Sequence, residues 1–147
     1  MTERQQLLEL HALFRHLIRM MTKRWNELML EEKVTISQFR LLVRLNESGP
    51  QKVSDLAEWI GVTSGAVTGM SDKLIRSGYA ERRRDDRDRR VVYLAVTDEG
   101  RAFVDKMMST QREMVATLFG RLPDEDVDHL KRIFNELLKQ AEPMEKE

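Results

Sequence analysis

The sequence predicts an α+β fold, mostly helical with one small β-hairpin, from three observations. Apolar residues recur at helical spacing through both ends of the 147-residue chain. Two helical segments in the middle are joined by a tight turn at Gly61. After them, two strand-like runs flank an unbroken block of charge, ERRRDDRDRR at 81–90, with six arginines, four acids and no lysine.

The elements follow in order. From residue 5 to 30, Leu7, Leu10, Phe14, Leu17, Met21, Trp25 and Leu28 are three or four residues apart and share one face of a helix, which Leu8, Leu13 and Ile18 widen. TISQFRLLVRLNESGP (35–50) reads as a second helix, capped by Thr35 or Ser37 and stopped at Ser48-Gly49-Pro50. VSDLAEWIG (53–61) gives a short helix capped by Ser54, with Leu56, Ala57 and Ile60 inward. VTSGAVTGMSDKLIRSGY (62–79) gives another, capped at Thr63 or Ser64 and ended by Gly78. In that helix Val67, Met70 and Leu74, with Ile75, form the buried face. The opposite face carries Ser64, Gly65, Thr68, Gly69, Ser71 and Asp72, followed by Lys73 and Arg76. A glycine inside a helix costs about 1 kcal/mol relative to alanine. Two on one polar face suit a helix that something must approach closely, such as the floor and walls of a DNA major groove.

Tyr79-Ala80 and Val91 to Val96 then read as a hairpin with the charged block at its tip. Val92, Leu94 and Val96 point one way, and Val91, Tyr93 and Ala95 the other. Thr97 is the expected N-cap of a long helix with Asp98 and Glu99 in its first turn. Its apolar rows are Phe103, Met107, Met114 and Leu118, and Val104, Met108, Val115 and Phe119, and Gly120 and Pro123 end it. A last helix opens on the acids at 124–126 and lines up Val127, Leu130, Ile133, Phe134, Leu137 and Leu138. Both chain ends are thus more apolar than the middle can cover, which points to helices of a second copy as partners. The expected organisation is a single domain over 1–147, with a lobe at 33–97 and dimerisation helices at 5–30 and 98–141.

Composition narrows the function. The chain is 41% apolar and 34% charged. It has no cysteine, which excludes disulfides and thiol chemistry. Net charge is zero, but residues 33–97 hold 12 Lys/Arg against 8 Asp/Glu, while from residue 98 onward there are 8 against 12. A basic centre between more acidic arms fits a nucleic-acid-binding lobe. No apolar run reaches the length of a membrane span, and MTERQQLLEL lacks the layout of a signal peptide, so a cytoplasmic protein is expected. His11 and His16 diverge by roughly 140° around a helix, and His129 stands alone among acids. No metal site, no cofactor and no enzyme chemistry are expected, since no nucleophile–base pair or paired carboxylates are in evidence.

The run from Val53 to Arg101 resembles the DNA-binding core of the MarR family of bacterial and archaeal transcriptional regulators. Asp85-x-Arg87-Asp88-x-Arg90, a strand, and Leu94-x-Val96-Thr97-x-x-Gly100 carry the resemblance, with Leu56-Ala57 and Leu74-x-x-x-Gly78. It implies a winged helix-turn-helix, a homodimer built from the terminal helices, and a pseudo-palindromic operator in double-stranded DNA. The helix from Ser64 would be the recognition helix, with Ser64, Gly65, Thr68, Gly69, Ser71 and Lys73 as its DNA-facing residues. Where many relatives have a basic residue in its middle, this chain has Gly69. Arg90, steadied by Asp88, resembles the family's minor-groove arginine, with Arg84, Arg87 and Arg89 beside it on the wing. The resemblance also implies a repressor released by a small aromatic or phenolic effector, for which His11, Phe14, Arg15, Met21, Trp25 and Phe39 are the candidates. Taken residue by residue, simple core packing is the favoured reading of each of these aromatics. The rival function is a winged-helix module that binds a protein instead of DNA, which zero net charge leaves open.

Overall fold

The computed structural model describes residues 2–142; residue 1 and residues 143–147, the ends of the expected domain, lie outside them. The chain divides into two compact units, the first ending at Met107 and the second beginning at Met108.

The first unit opens with α1 (Glu3–Glu31), where Thr2 and Gln5 cap each other reciprocally. α2 (Ile36–Ser48) begins in the same way. Gln38 N–H donates to the Thr35 hydroxyl at 3.1 Å and Thr35 N–H to Gln38 Oε1 at 2.9 Å, so Thr35 and not Ser37 is the cap. Gly49, at φ 75°, ends it. Then come β1 (Gln51–Lys52), α3 (Val53–Ile60), α4 (Ser64–Arg76), β2 (Ala80–Arg84), β3 (Val92–Val96) and the first part of α5 (Asp98–Phe119).

The expected hairpin is present, and β1 adds a strand that the sequence pattern does not announce. The sheet order is β1-β3-β2, antiparallel throughout, with Gln51 opposite Leu94 and Arg82 opposite the same residue from the other side. β1 has only two residues, too few to show alternation, and exists through its pairing with β3. Its formation moves the start of α3 to Val53. Lys52 becomes the N-cap, without a side-chain bond, and Ser54 is not the cap expected of it. Leu41, Leu42 and Leu45 of α2, Leu56 of α3, Val67 and Leu74 of α4 and Leu94 of β3 make the solvent-free core. Strict alternation fails at the end of β3, where Ala95 is buried as well as Leu94 and Val96.

The base of the hairpin is locked to α5. Thr97 Oγ1 donates to the Gly78 carbonyl at 2.5 Å and accepts from Gly100 N–H at 3.0 Å, while Thr97 N–H donates to the Tyr79 carbonyl at 3.1 Å. A Cβ on Gly100 would overlap the Tyr79 carbonyl oxygen and crowd Val96. The Val-Thr-x-x-Gly run is therefore a joint, in which threonine caps the helix and glycine lets the backbones touch.

In the second unit, α5 continues to Phe119 and α6 (Asp124–Ala141) follows Pro123. Asp124, Glu125 and Asp126 sit in the first turn of α6, where the helix dipole favours them. No residue of α6 is buried, and Ile133, Phe134, Leu137 and Leu138 are exposed.

Candidate nucleic-acid interface

α4 is capped by Thr63, whose hydroxyl accepts from Ala66 N–H at 3.1 Å. Val67 and Leu74 anchor it to the core, and Ser64, Gly65, Thr68, Gly69 and Lys73 lie outside that core. Ser71 departs from the expected groove-facing set. It is 1% exposed and its hydroxyl donates to the Val67 carbonyl at 2.6 Å. Lying four residues after Val67 and three before Leu74, it belongs to the core stripe, where its hydroxyl is satisfied within the helix. The two glycines have no packing role among the described residues. A Cβ on Gly69 would meet nothing within 4 Å, and one on Gly65 only the Thr63 hydroxyl at 3.9 Å. They leave a strip of bare helix open to the outside.

The charged block divides between strand and tip. Residues 81–84 lie on β2, and the loop from Asp85 to Val91 is closed by backbone bonds, Asp85 N–H to the Val91 carbonyl and Val91 N–H to the Asp88 carbonyl, each 3.0 Å. The acids shape this loop. Asp85 accepts from Arg87 N–H at 2.9 Å and Asp88 from Arg90 N–H at 3.1 Å, two aspartate turns in succession. Asp88 also takes the Arg90 fork, Nε on Oδ1 at 3.1 Å and an Nη on Oδ2 at 3.2 Å. The Arg90 side chain is nonetheless 92% exposed. The fork first, and the backbone N–H second, hold the Asp88 carboxyl below the usual carboxylate range. Asp85 does not grip the Arg87 guanidinium in the same way; it holds only the Arg87 backbone.

The remaining arginines have separate tasks. Arg84 donates to the Arg89 carbonyl at 2.9 Å and braces the loop from inside. Arg83 pairs with Glu81 at 2.6 Å along the strand. Arg82 pairs with Asp72 of α4, tying wing to helix, a link that no local pattern announces because ten residues and a turn intervene. Arg87 and Arg89 carry no carboxylate partner among the described residues. Ser64 and Arg90 meet at one cleft of about 410 Å³, lined also by Lys52 and Ser54. Helix and wing thus converge on a common basic notch.

The six effector candidates scatter. Phe39 is 6% exposed and packs edge-to-face with Trp25 (5.6 Å between centroids) and with Phe103 (6.2 Å), which stacks on Tyr79 at 4.6 Å. Phe39 is therefore a core residue, which corrects its assignment to a pocket wall, while Trp25 packs on it from a half-buried position. Met21 is half-buried, and His11, Phe14 and Arg15 are exposed along α1. Of the six, only Arg15 borders the open groove of about 760 Å³ beside α1.

The chain is similar to known proteins over these same elements. The family model described as "MarR family" matches residues 34–92. A 121-residue stretch is 32% identical to the HTH-type transcriptional repressor MdtR of Bacillus subtilis, covering 82% of this chain and 78% of that one. A 94-residue stretch is 34% identical to the uncharacterized HTH-type transcriptional regulator YkoM of the same organism, and spans only 61% of that protein. Among solved structures, the YusO protein from Bacillus subtilis superposes with a TM-score of 0.89 at 27% identity, over 95% of this chain and 99% of that one. A mutant of MepR from S. aureus bound to an oligodeoxyribonucleotide shares the fold at 22% identity and a TM-score of 0.74, over 89% and 96%. On the identity to MdtR across most of both chains, this protein belongs to the MarR family of transcriptional regulators.

Proposed function

We propose that the protein represses transcription by binding a pseudo-palindromic duplex as a homodimer, with α4 in the major groove and the wing in the adjacent minor groove. The observation that carries this reading is Arg90, presented to solvent and at the same time held bidentately by Asp88. A narrow minor groove attracts arginine through shape and potential, and only an aimed arginine can use that. The bare glycine strip of α4 supports close approach to a groove, and the notch of Lys52, Ser54, Ser64 and Arg90 offers a seat for a backbone phosphate between helix and wing. Dimerisation through residues 5–30 and 98–141 is supported by the apolar stripe of α1, 39–68% exposed from Leu7 to Ile18, and by the unburied row of α6. MdtR, named as a repressor, favours repression as the output. Release by a small aromatic effector belongs to the same reading. Because Phe39 is taken up in packing, a site on α1 would use His11, Phe14 and Arg15 with the half-buried Met21 and Trp25.

The testing experiment selects genomic fragments bound by the purified protein and measures affinity for the enriched site and for random duplex over a salt series. A steep fall of log affinity with log salt, and a preference for the enriched site, are expected. No enrichment and no salt dependence would favour the protein-interaction module.

A further inference from the structure

Arg40 and Arg44 sit one turn apart on α2, and both guanidiniums lie over the indole of Trp59 on α3, with Cζ 5.3 and 5.2 Å from the ring centroid. Neither forms an ion pair among the described residues, whereas Arg82, Arg83, Arg90 and Arg101 each have a carboxylate. Like charges one turn apart on a helix repel. The ring's electron-rich face offsets part of that repulsion and fixes the two cations in place. A guanidinium stacked this way keeps its N–H donors available to a further acceptor. The indole itself is 42% exposed, an unusual state for the largest apolar side chain of a lobe that buries its leucines completely.

Position suggests the acceptor. Trp59 lies five residues before Ser64, across the turn in which Gly61 adopts φ 79°. Five residues span no more than about 18 Å even fully extended, so the cation pair lies within reach of the exposed start of α4. A major groove about 12 Å wide is walled on both sides by phosphates. We propose that Arg40 and Arg44, stacked on Trp59, form a second seat for the phosphodiester backbone, additional to the notch beside Arg90. The inference rests on the DNA-binding reading above. Its contribution is affinity and register, not base choice.

The experiment compares wild type, Arg40→Gln, Arg44→Gln, the double variant, Trp59→Leu and Trp59→Phe. Each is titrated with the enriched duplex and with random duplex at several salt concentrations, after circular dichroism and thermal melts confirm folding. For every phosphate that a variant no longer neutralises, the log–log salt slope should flatten by about 0.9. The weakening should be equal on both duplexes, leaving their affinity ratio unchanged. Trp59→Leu should weaken binding to both duplexes although every charge is retained, and Trp59→Phe, which keeps a ring face, should restore most of it. A double variant with the wild-type slope overturns the inference and leaves the DNA reading intact. A weakening confined to the enriched duplex overturns it too, because that would mean recognition of bases. A wild type without salt-dependent binding removes the DNA reading and this inference together.

Discussion

At Gly69 a methyl group would meet open space, so Gly69→Ala should raise the free energy of unfolding by up to about 1 kcal/mol through helix propensity alone. The same methyl stands on the strip assigned to the groove, where it should weaken binding to the enriched duplex. Opposite signs in a denaturant melt and a DNA titration are expected; a variant both more stable and equally tight would show that nothing comes close to that face. Asp88→Ala separates charge from aim. A purely electrostatic wing predicts tighter binding everywhere once an acid is gone. A wing whose arginine is held by Asp88 predicts weaker specific and stronger random binding, read as a lower affinity ratio at two salt concentrations. The pH dependence follows from the same pair. Because the Asp88 carboxyl is lowered in the folded state, the clasp is complete above the ordinary carboxylate range and is lost only as pH falls through the lowered value. Between about pH 5 and pH 8 the affinity ratio should therefore owe no change to this group. The Asp88–Arg90 pair is legible in the sequence because two residues of separation within a short loop leave little choice of partner. The burial of Ser71 is not, because a small polar residue on a helix carries no sign of which way it faces until the core stripe beside it is fixed.

Helices are legible at the level of elements, since periodicity, caps and stops are local: Thr35, Thr63 and Thr97 cap where polar residues precede apolar rows. β1 and the Asp72–Arg82 link are not, because both depend on the sheet and on α4 having already come together. That link makes a prediction at this scale. Asp72 and Arg82 are each about half exposed, so their pairing adds little stability, about 0–1 kcal/mol. Its effect should be on the angle between recognition helix and wing. Asp72→Arg alone should lower the ratio of specific to random affinity with little change in melting, and Arg82→Asp added to it should restore the ratio by re-forming the pair in reverse. If the double exchange binds no more selectively than the single, the pair is an incidental surface interaction. The joint at the other end of the hairpin behaves differently. Gly100→Ala forces a Cβ into the Tyr79 carbonyl, and overpacking of this kind typically costs about 1–3 kcal/mol. A denaturant melt should show that destabilisation directly.

For the molecule as a whole, the unanswered surface is apolar. Leu10, Leu13 and Phe14 of α1 are 61%, 68% and 57% exposed, and Leu137 and Leu138 of α6 are 53% and 62% exposed. Burying one such side chain is worth about 1.5–3 kcal/mol, so several left in water are a standing drive toward association. The sequence carries this as two amphipathic ends around a smaller middle. If a second copy covers these rows, Leu13→Glu with Phe14→Glu should place charges in an apolar seam and yield monomers by light scattering. Removing residues 123–147 should yield monomer or aggregate for the same reason. The lobe from α2 to β3 has its own core and should keep its helical signal in the substituted protein. DNA binding then distinguishes failed assembly from a damaged interface. Two linked half-sites bind more tightly than one by about 10²- to 10⁴-fold, so the monomer should lose that factor on the full duplex. On a duplex carrying a single half-site the change should be small, since α4 and the wing are untouched. A substituted protein that remains a dimer with full affinity would move the interface elsewhere, and the exposed rows of α1 would then need another partner.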